Sequence, residues 1–233
     1  MQSGLVEMFA LPGGDAQIEW RRSPRARRVS LRIDPRGGNV VVTLPPRASR
    51  SAGVALLMTH AAWVSDRLAA LPEAVPLQDG AIIPLHGVGH RIRRVPEAKR
   101  GVWLEGGEIH VSGEPEFLPR RVLDFLRAEA RRRLSALAAE KAALAGLPVR
   151  RITIKDTRSR WGSCAPEGAL AFSWRLVLAP TSVQDYVAAH EVAHLRHMNH
   201  GPRFWALVSR LTPHAATAIP WLRTEGARLL RVG

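Results

Sequence analysis

The chain has 233 residues, 46% of them hydrophobic, which is enough for one large or two small domains with a buried core. It contains no run of about 18 apolar residues and no basic N-terminal segment followed by an apolar one, so we expect a soluble, cytoplasmic protein without a membrane partner. The single cysteine, Cys164, excludes an internal disulfide and fits a reducing compartment.

The net charge of +14 would suit an anionic partner such as nucleic acid. Only three of the 34 basic residues are lysines, and this preference for arginine is typical of a GC-rich genome, although it does not explain the excess of bases over acids. The basic clusters have no interleaved aromatic residues that could stack on bases. We therefore favour a solvated basic surface and keep nucleic-acid binding as an alternative.

The first half of the chain has the sequence patterns of short β-strands. The predicted strands are 29–33 and 40–44, joined as a hairpin, then 89–95, and then 102–104 and 109–111, joined as a second hairpin. Apolar residues at helical spacing predict a helix over 51–71, and a proline-containing linker, 71–84, follows it. Residues 1–115 are therefore expected to form a β-rich N-terminal subdomain.

The second half has mainly helical patterns. A long helix is predicted over 117–145, because apolar and charged residues alternate there with helical period and Gly146 and Pro148 follow. Strands are predicted at 151–155 and within 168–178, and a closing helix at 218–230. The fold class expected for the whole chain is α+β, with a second domain over 116–233 that is mainly helical and contains a small sheet.

The most informative segment is His190-Glu191-Val192-Ala193-His194. Residues four apart lie one turn apart on a helix, so His190 and His194 can bind one metal ion. Glu191 lies one step round the helix and can act as general base at an open coordination position. The helix is predicted to begin at an S-x-x-D capping box formed by Ser182 and Asp185.

A third ligand has to come from His197 or His200. On a straight helix His197 would lie roughly 10 Å along the axis from His190, which makes it a poor co-ligand. His200 lies beyond Asn199, which can adopt the left-handed conformation that ends a helix, and just before Pro202, which can begin the next one. The chain can therefore reverse and bring His200 back to the metal.

Four segments together resemble the YgjP-like metal-dependent hydrolase family, a bacterial group similar to the SprT-like and Wss1-like zinc peptidases. They are residues 158–164 (RSRWGSC), 176–180 (LVLAP), 190–194 (HEVAH) and 199–205 (NHGPRFW). The resemblance implies a zincin-like metallopeptidase domain over 116–233, with Zn2+ bound by His190, His194 and His200 and with Glu191 as catalytic base. Metzincins share the distance to the third histidine, but they have glycine at the position of His197, and no methionine turn is evident here.

The sequence thus predicts a zinc-dependent metallopeptidase that acts on protein or peptide substrates. Arg160, Tyr186 and Arg175 are all candidates to stabilise charge on the substrate carbonyl oxygen, and the sequence does not choose among them. Cys164 is interpreted as a small buried residue rather than a nucleophile or a fourth ligand. The alternative is a nucleic-acid-associated protein, either with a structural metal or as a SprT-like protease recruited to DNA. The oligomeric state is left open.

Overall fold

The computed structural model describes residues 5–157 and 160–233, so Arg158 and Ser159 of the RSRWGSC segment lie outside the described residues. The chain has the predicted α+β class, with strands in the N-terminal part and mainly helices after them. It divides into two compact units between Glu73 and Ala74. Among the described residues, no helix has both the length and the apolar character needed to cross a bilayer.

The N-terminal unit is a four-stranded sheet with two helices. Its elements are β1 (Leu5–Leu11), β2 (Gly14–Arg22), β3 (Ser30–Asp34), β4 (Asn39–Leu44), α1 (Arg50–Thr59) and α2 (Ala61–Ala69). The strand order is β1-β2-β4-β3, with β2 and β4 parallel and the other pairs antiparallel. The predicted hairpin is confirmed as β3 and β4, whereas β1 and β2 were not predicted. The single helix predicted over 51–71 is broken at His60 into two helices.

The C-terminal unit begins with a second four-stranded sheet. It consists of β5 (Ile82–Leu85), β6 (Val88–Arg94), β7 (Val102–Glu105) and β8 (Glu108–Val111), in the order β5-β6-β8-β7. Strands β6, β7 and β8 follow the prediction, but β5 occupies the end of the segment predicted as a linker, 71–84. The fully buried Ile83, Ile92 and Ile109 of this sheet belong to the same hydrophobic core as Leu126 and Val183 from the helices.

The rest of the unit carries the segments that resemble the peptidases. Its elements are α3 (Leu118–Ala145), β9 (Arg151–Lys155), β10 (Gly162–Cys164), β11 (Ala169–Ser173), a 3₁₀ turn (Trp174–Leu178), α4 (Thr181–His194), α5 (Pro202–Leu211) and α6 (Ala215–Leu230). Gly146 ends α3 in the left-handed conformation, as predicted. The small sheet has the order β10-β11-β9, which makes β10 an edge strand.

The packing divides the chain at a different place from the domain boundary predicted at 115/116 from the sequence. Strands β5 to β8 share one core with helices α3 and α4, so the sheet over 82–111 belongs to the same compact unit as the helical part. A boundary at 115/116 stays a prediction, and the packing favours the earlier division after Glu73.

Helix α4 is held by contacts with other elements rather than by the predicted capping box. Pro180 occupies the N-cap position and no side chain caps the helix. Asp185 instead forms an ion pair of 2.6 Å with Lys141 of α3. Lys141 is only 6% exposed, so the pair is largely withdrawn from water. This buried pair connects the helix that carries the HEVAH segment to the long helix behind it.

Replacing Lys141 by methionine should lower the free energy of unfolding by about 3 kcal/mol, because the Asp185 carboxylate would remain buried without its cation. Urea denaturation of the purified protein measures this change. Arg120→Met on the same helix is the matched control, because its pair with Asp124 is exposed and should contribute less than about 1 kcal/mol. The double variant Lys141→Met/Asp185→Leu should regain most of the loss. A double variant no more stable than Lys141→Met would contradict a role for charge pairing.

Candidate metal centre

Three histidine side chains converge at the end of helix α4. His190 and His194 lie one turn apart, and their Nε2 atoms are 3.2 Å from each other. The Nε2 atom of His200 lies 3.2 Å from that of His190. One ring nitrogen from each residue lies within 4.8 Å of the other two. The structure therefore brings together the three residues that the sequence singled out.

The turn that returns His200 to the helix differs from the predicted one. Helix α4 ends at His194, and Asn199 does not take the left-handed conformation, since His86 is the one described non-glycine residue with positive φ. The next helix does begin at Pro202, as predicted. His197 lies outside the cluster, and its backbone carbonyl accepts a hydrogen bond of 3.0 Å from His194 Nδ1.

The environment of the cluster favours the neutral forms of His190 and His194. Burial, together with the neighbouring His194 and His200, lowers the pKa of His190 to about 4. Burial also lowers the pKa of His194. Because the Nδ1 atom of His194 carries the hydrogen that His197 accepts, its Nε2 lone pair is directed into the cluster. The Tyr186 hydroxyl lies 3.3 Å from His190 Nδ1 and can fix the same tautomer there.

The spacing of the nitrogens can be compared with what a metal ion requires. Metal–nitrogen bonds of about 2.0–2.1 Å at a tetrahedral angle place two nitrogens about 3.3 Å apart. Two of the three separations in the cluster are 3.2 Å, and the third is at most 4.8 Å. The neutral form favoured at His190 and His194 is also the form of imidazole that binds a metal. The donor set therefore fits a divalent transition-metal ion held by three nitrogens.

Aromatic rings from helix α5 form the back of the cluster. The centroid of Phe204, which is fully buried, lies 4.6 Å to 5.0 Å from all three imidazole centroids. Trp205 lies about 6 Å from His190 and His200 and is partly exposed. These contacts restrict the rotamers of the histidines and remove water from one side of the cluster.

Glu191 lies beside the cluster in a cavity of about 260 Å³. The cavity is lined by Arg160, Trp161, Gly162, Tyr186, Val187, His190, Glu191 and Leu222. Glu191 is 6% exposed, and in the metal-free chain burial raises its pKa to about 7, while the Arg160 guanidinium opposes the shift. A carboxyl group with such a pKa can both take up and release a proton near neutrality.

A family model for the YgjP-like metallopeptidase domain matches residues 27–225. The chain belongs to the YgjP-like metallopeptidase family. This match bears out the resemblance drawn from the four sequence segments and makes the chain a metal-dependent peptidase in general terms.

Two further comparisons add little to this assignment. Among solved structures, the metallopeptidase zymogen of Pyrococcus abyssi abylysin is similar over 42% of this chain and 87% of that chain, with 17% identity and a TM-score of 0.32. No curated protein sequence matches the chain.

The structure of this YgjP-like chain separates the three candidates for stabilising charge on a substrate. Arg175 is fully buried, pairs with Asp156 and donates to the backbone carbonyls of Val232 and Gly233 at 3.2 Å and 3.1 Å, so it anchors the end of the chain. Tyr186 is directed at His190 Nδ1. Arg160 is exposed and lines the cavity that holds Glu191. Tyr186 lines the same cavity but is buried, so Arg160 is the exposed one of the two.

One contact of the cluster was missed at the sequence level although a signal for it exists. Tyr186 precedes His190 by four residues, so the spacing that paired His190 with His194 also places Tyr186 on that face. From the sequence, however, Tyr186 is considered as a substrate contact, and its hydrogen bond to His190 is not predicted. The close approach of Gly162 to Glu191 was missed as well, and no local pattern could have revealed it.

The basic surface of the YgjP-like chain is partly neutralised by its own acids. Arg93 pairs with Glu108 at 3.4 Å, and Arg132 pairs with Glu129 at 2.6 Å. An arginine does stack on an aromatic ring, since the Arg100 guanidinium lies 5.2 Å from the Trp103 ring centre. Nucleic-acid binding stays a prediction that we do not favour.

Cys164 should react slowly with alkylating reagents in the folded protein. Burial, together with the Glu191 and Glu167 carboxylates, raises the pKa of its thiol to about 11, so the reactive thiolate is rarer at every pH below that value. Relative to an ordinary thiol with a pKa of 9.0, the thiolate fraction near pH 8 falls about a hundredfold. Mass spectrometry of iodoacetamide labelling measures the rate, with urea-unfolded protein as control. Equal rates in the folded and unfolded protein would contradict this environment.

Proposed function

We propose that this YgjP-like metallopeptidase is a zinc-dependent peptidase in which His190, His194 and His200 hold the ion and Glu191 is the general base. The observation that carries the proposal is the convergence of three imidazole nitrogens beside a buried carboxyl group. Three protein ligands leave one position open, which is typical of catalytic rather than structural zinc sites. Zinc is preferred because imidazole ligands in a tetrahedral arrangement suit it well.

Zinc bound there would act as a Lewis acid and would lower the pKa of a coordinated water towards 7. Glu191 accepts a proton from the attacking water and passes it to the leaving amine, and its raised pKa suits both steps. Its burial keeps the carboxyl group out of bulk solvent. The Tyr186 hydroxyl orients His190, and the His197 carbonyl orients His194.

The walls of the cavity support a peptide as the substrate. Strand β10 has a neighbouring strand on one side only among the described residues, and an extended peptide can pair with such an edge. Its first residue, Gly162, lines the same cavity as Glu191. A peptide paired with β10 would carry its backbone past the carboxyl group. Arg160, at the mouth of this cavity, is our choice for stabilising charge on the peptide carbonyl oxygen.

Purified protein should contain about one zinc ion per chain, and His200→Ala should lose most of it, because two imidazoles bind zinc far more weakly than three. Elemental analysis after gel filtration measures the stoichiometry. His197→Ala is the matched control, since its ring lies outside the cluster and its backbone carbonyl is retained. Full zinc content in His200→Ala would contradict the ligand set.

Replacing Glu191 by glutamine should leave the zinc content unchanged and lower peptide cleavage by about 10²- to 10⁴-fold, the usual contribution of a general base. The glutamine keeps the size of the side chain and cannot take up the proton. Cleavage of a fluorescence-quenched casein measures activity. Undiminished cleavage by zinc-loaded Glu191→Gln would overturn the role given to this residue.

A further inference from the structure

The backbone of strand β10 approaches Glu191 more closely than any side chain would allow. A methyl group in place of a hydrogen on the Gly162 Cα would lie 2.5 Å from both Cγ and Oε1 of Glu191, and 2.7 Å from Cδ. Carbon atoms in contact are normally about 3.5–4.0 Å apart. The carboxylate of Glu191 therefore occupies the space that any other residue at position 162 would fill.

The conformation of Gly162 does not itself require glycine. Its φ is not positive, unlike that of Gly146 or Gly168, and it lies in a strand whose backbone any residue can adopt. Its pairing partner in the sheet is Phe172. The need for glycine therefore comes from the neighbouring carboxyl group and not from the turn of the chain.

Strand β10 is held in place by contacts with its neighbours. Gly162 pairs with Phe172, which is fully buried. The carbonyl of the preceding Trp161 accepts a hydrogen bond of 2.9 Å from the Ser173 backbone. The Trp161 ring packs against Gly226 of α6, where an added methyl group would lie 3.2 Å from it. Of the groups in contact, the Glu191 side chain is the one most able to shift.

We propose that Gly162 is a positioning residue for Glu191, because the missing side chain lets the carboxyl group lie against the β10 backbone beside the histidine cluster. This inference rests on the proposed function, in which Glu191 is the general base. A side chain at position 162 displaces the carboxylate by about an ångström, and misplacement on that scale can cost about 10²-fold in rate. The three atoms nearest to the added methyl group all belong to Glu191.

The kinetic test compares Gly162→Ala with Gly89→Ala, both zinc-loaded and assayed on fluorescence-quenched casein. Gly162→Ala should lower kcat by about 10²-fold with little change in KM or in zinc content. Gly89, in strand β6, meets only Ile82 Cγ2 at an ordinary 3.4 Å, so its alanine variant should keep wild-type activity. Wild-type kcat in Gly162→Ala would overturn the proposal.

A second measurement needs neither metal nor activity and separates this inference from the proposed function. In metal-free protein, Gly162→Ala should lower Tm by about 3–10 °C, as overpacking does. In the Glu191→Ala background, where the carboxylate is gone, the same change should lower Tm by less than about 2 °C. Equal losses in both backgrounds would overturn the proposal. Absence of any peptidase activity in the wild type would overturn the proposed function, and with it the role of Gly162. This holds even if the effects of Gly162→Ala and Glu191→Ala on Tm are coupled.

Discussion

Burial of helix α4 is the constraint on which the rest of the site depends. Most of the helix is shielded from water, and desolvation keeps His190 neutral while raising the proton affinity of Glu191. The same burial obliges polar residues of the helix to find partners within the protein. Asp185 meets Lys141, and Gln184 donates to the Ala179 carbonyl at 2.7 Å. Burial of helix α4 therefore accounts both for the protonation behaviour of the site and for the polar contacts that pack the helix.

Sequence reasoning succeeded where the deciding geometry is local. The rise of a helix alone excludes His197 as a partner of His190, and the structure leaves its ring outside the cluster. The same reasoning failed where a partner distant in sequence decides. Asp185 fits a capping box, but Lys141 takes its carboxylate. Strand β1 was missed because it exposes apolar side chains such as Met8, which weakens the alternation that identifies a strand.

The candidate functional side chains also divide into those placed by local geometry and those placed by contacts distant in sequence. From the sequence, Arg160, Tyr186 and Arg175 were all candidates for stabilising charge on the substrate, because each is a polar residue in or near a motif. Contacts across 57 or 58 positions of the chain assign Arg175 to the carbonyls near residue 233, and no periodicity signals such a contact. The Gly162 approach to Glu191 likewise joins two segments 29 positions apart through space alone. The residues next to a glycine in the sequence do not reveal which distant side chain occupies the space beside it.

The shortness of strand β10 limits how strongly another chain can pair with its open edge. An open strand edge is a template for pairing with any extended chain, including another copy of the same protein. Strand β10 is only three residues long. It offers enough backbone groups to align a passing peptide, but too few to hold a partner for long. Under the proposed function, cut fragments would leave readily, and self-association through this edge would be weak.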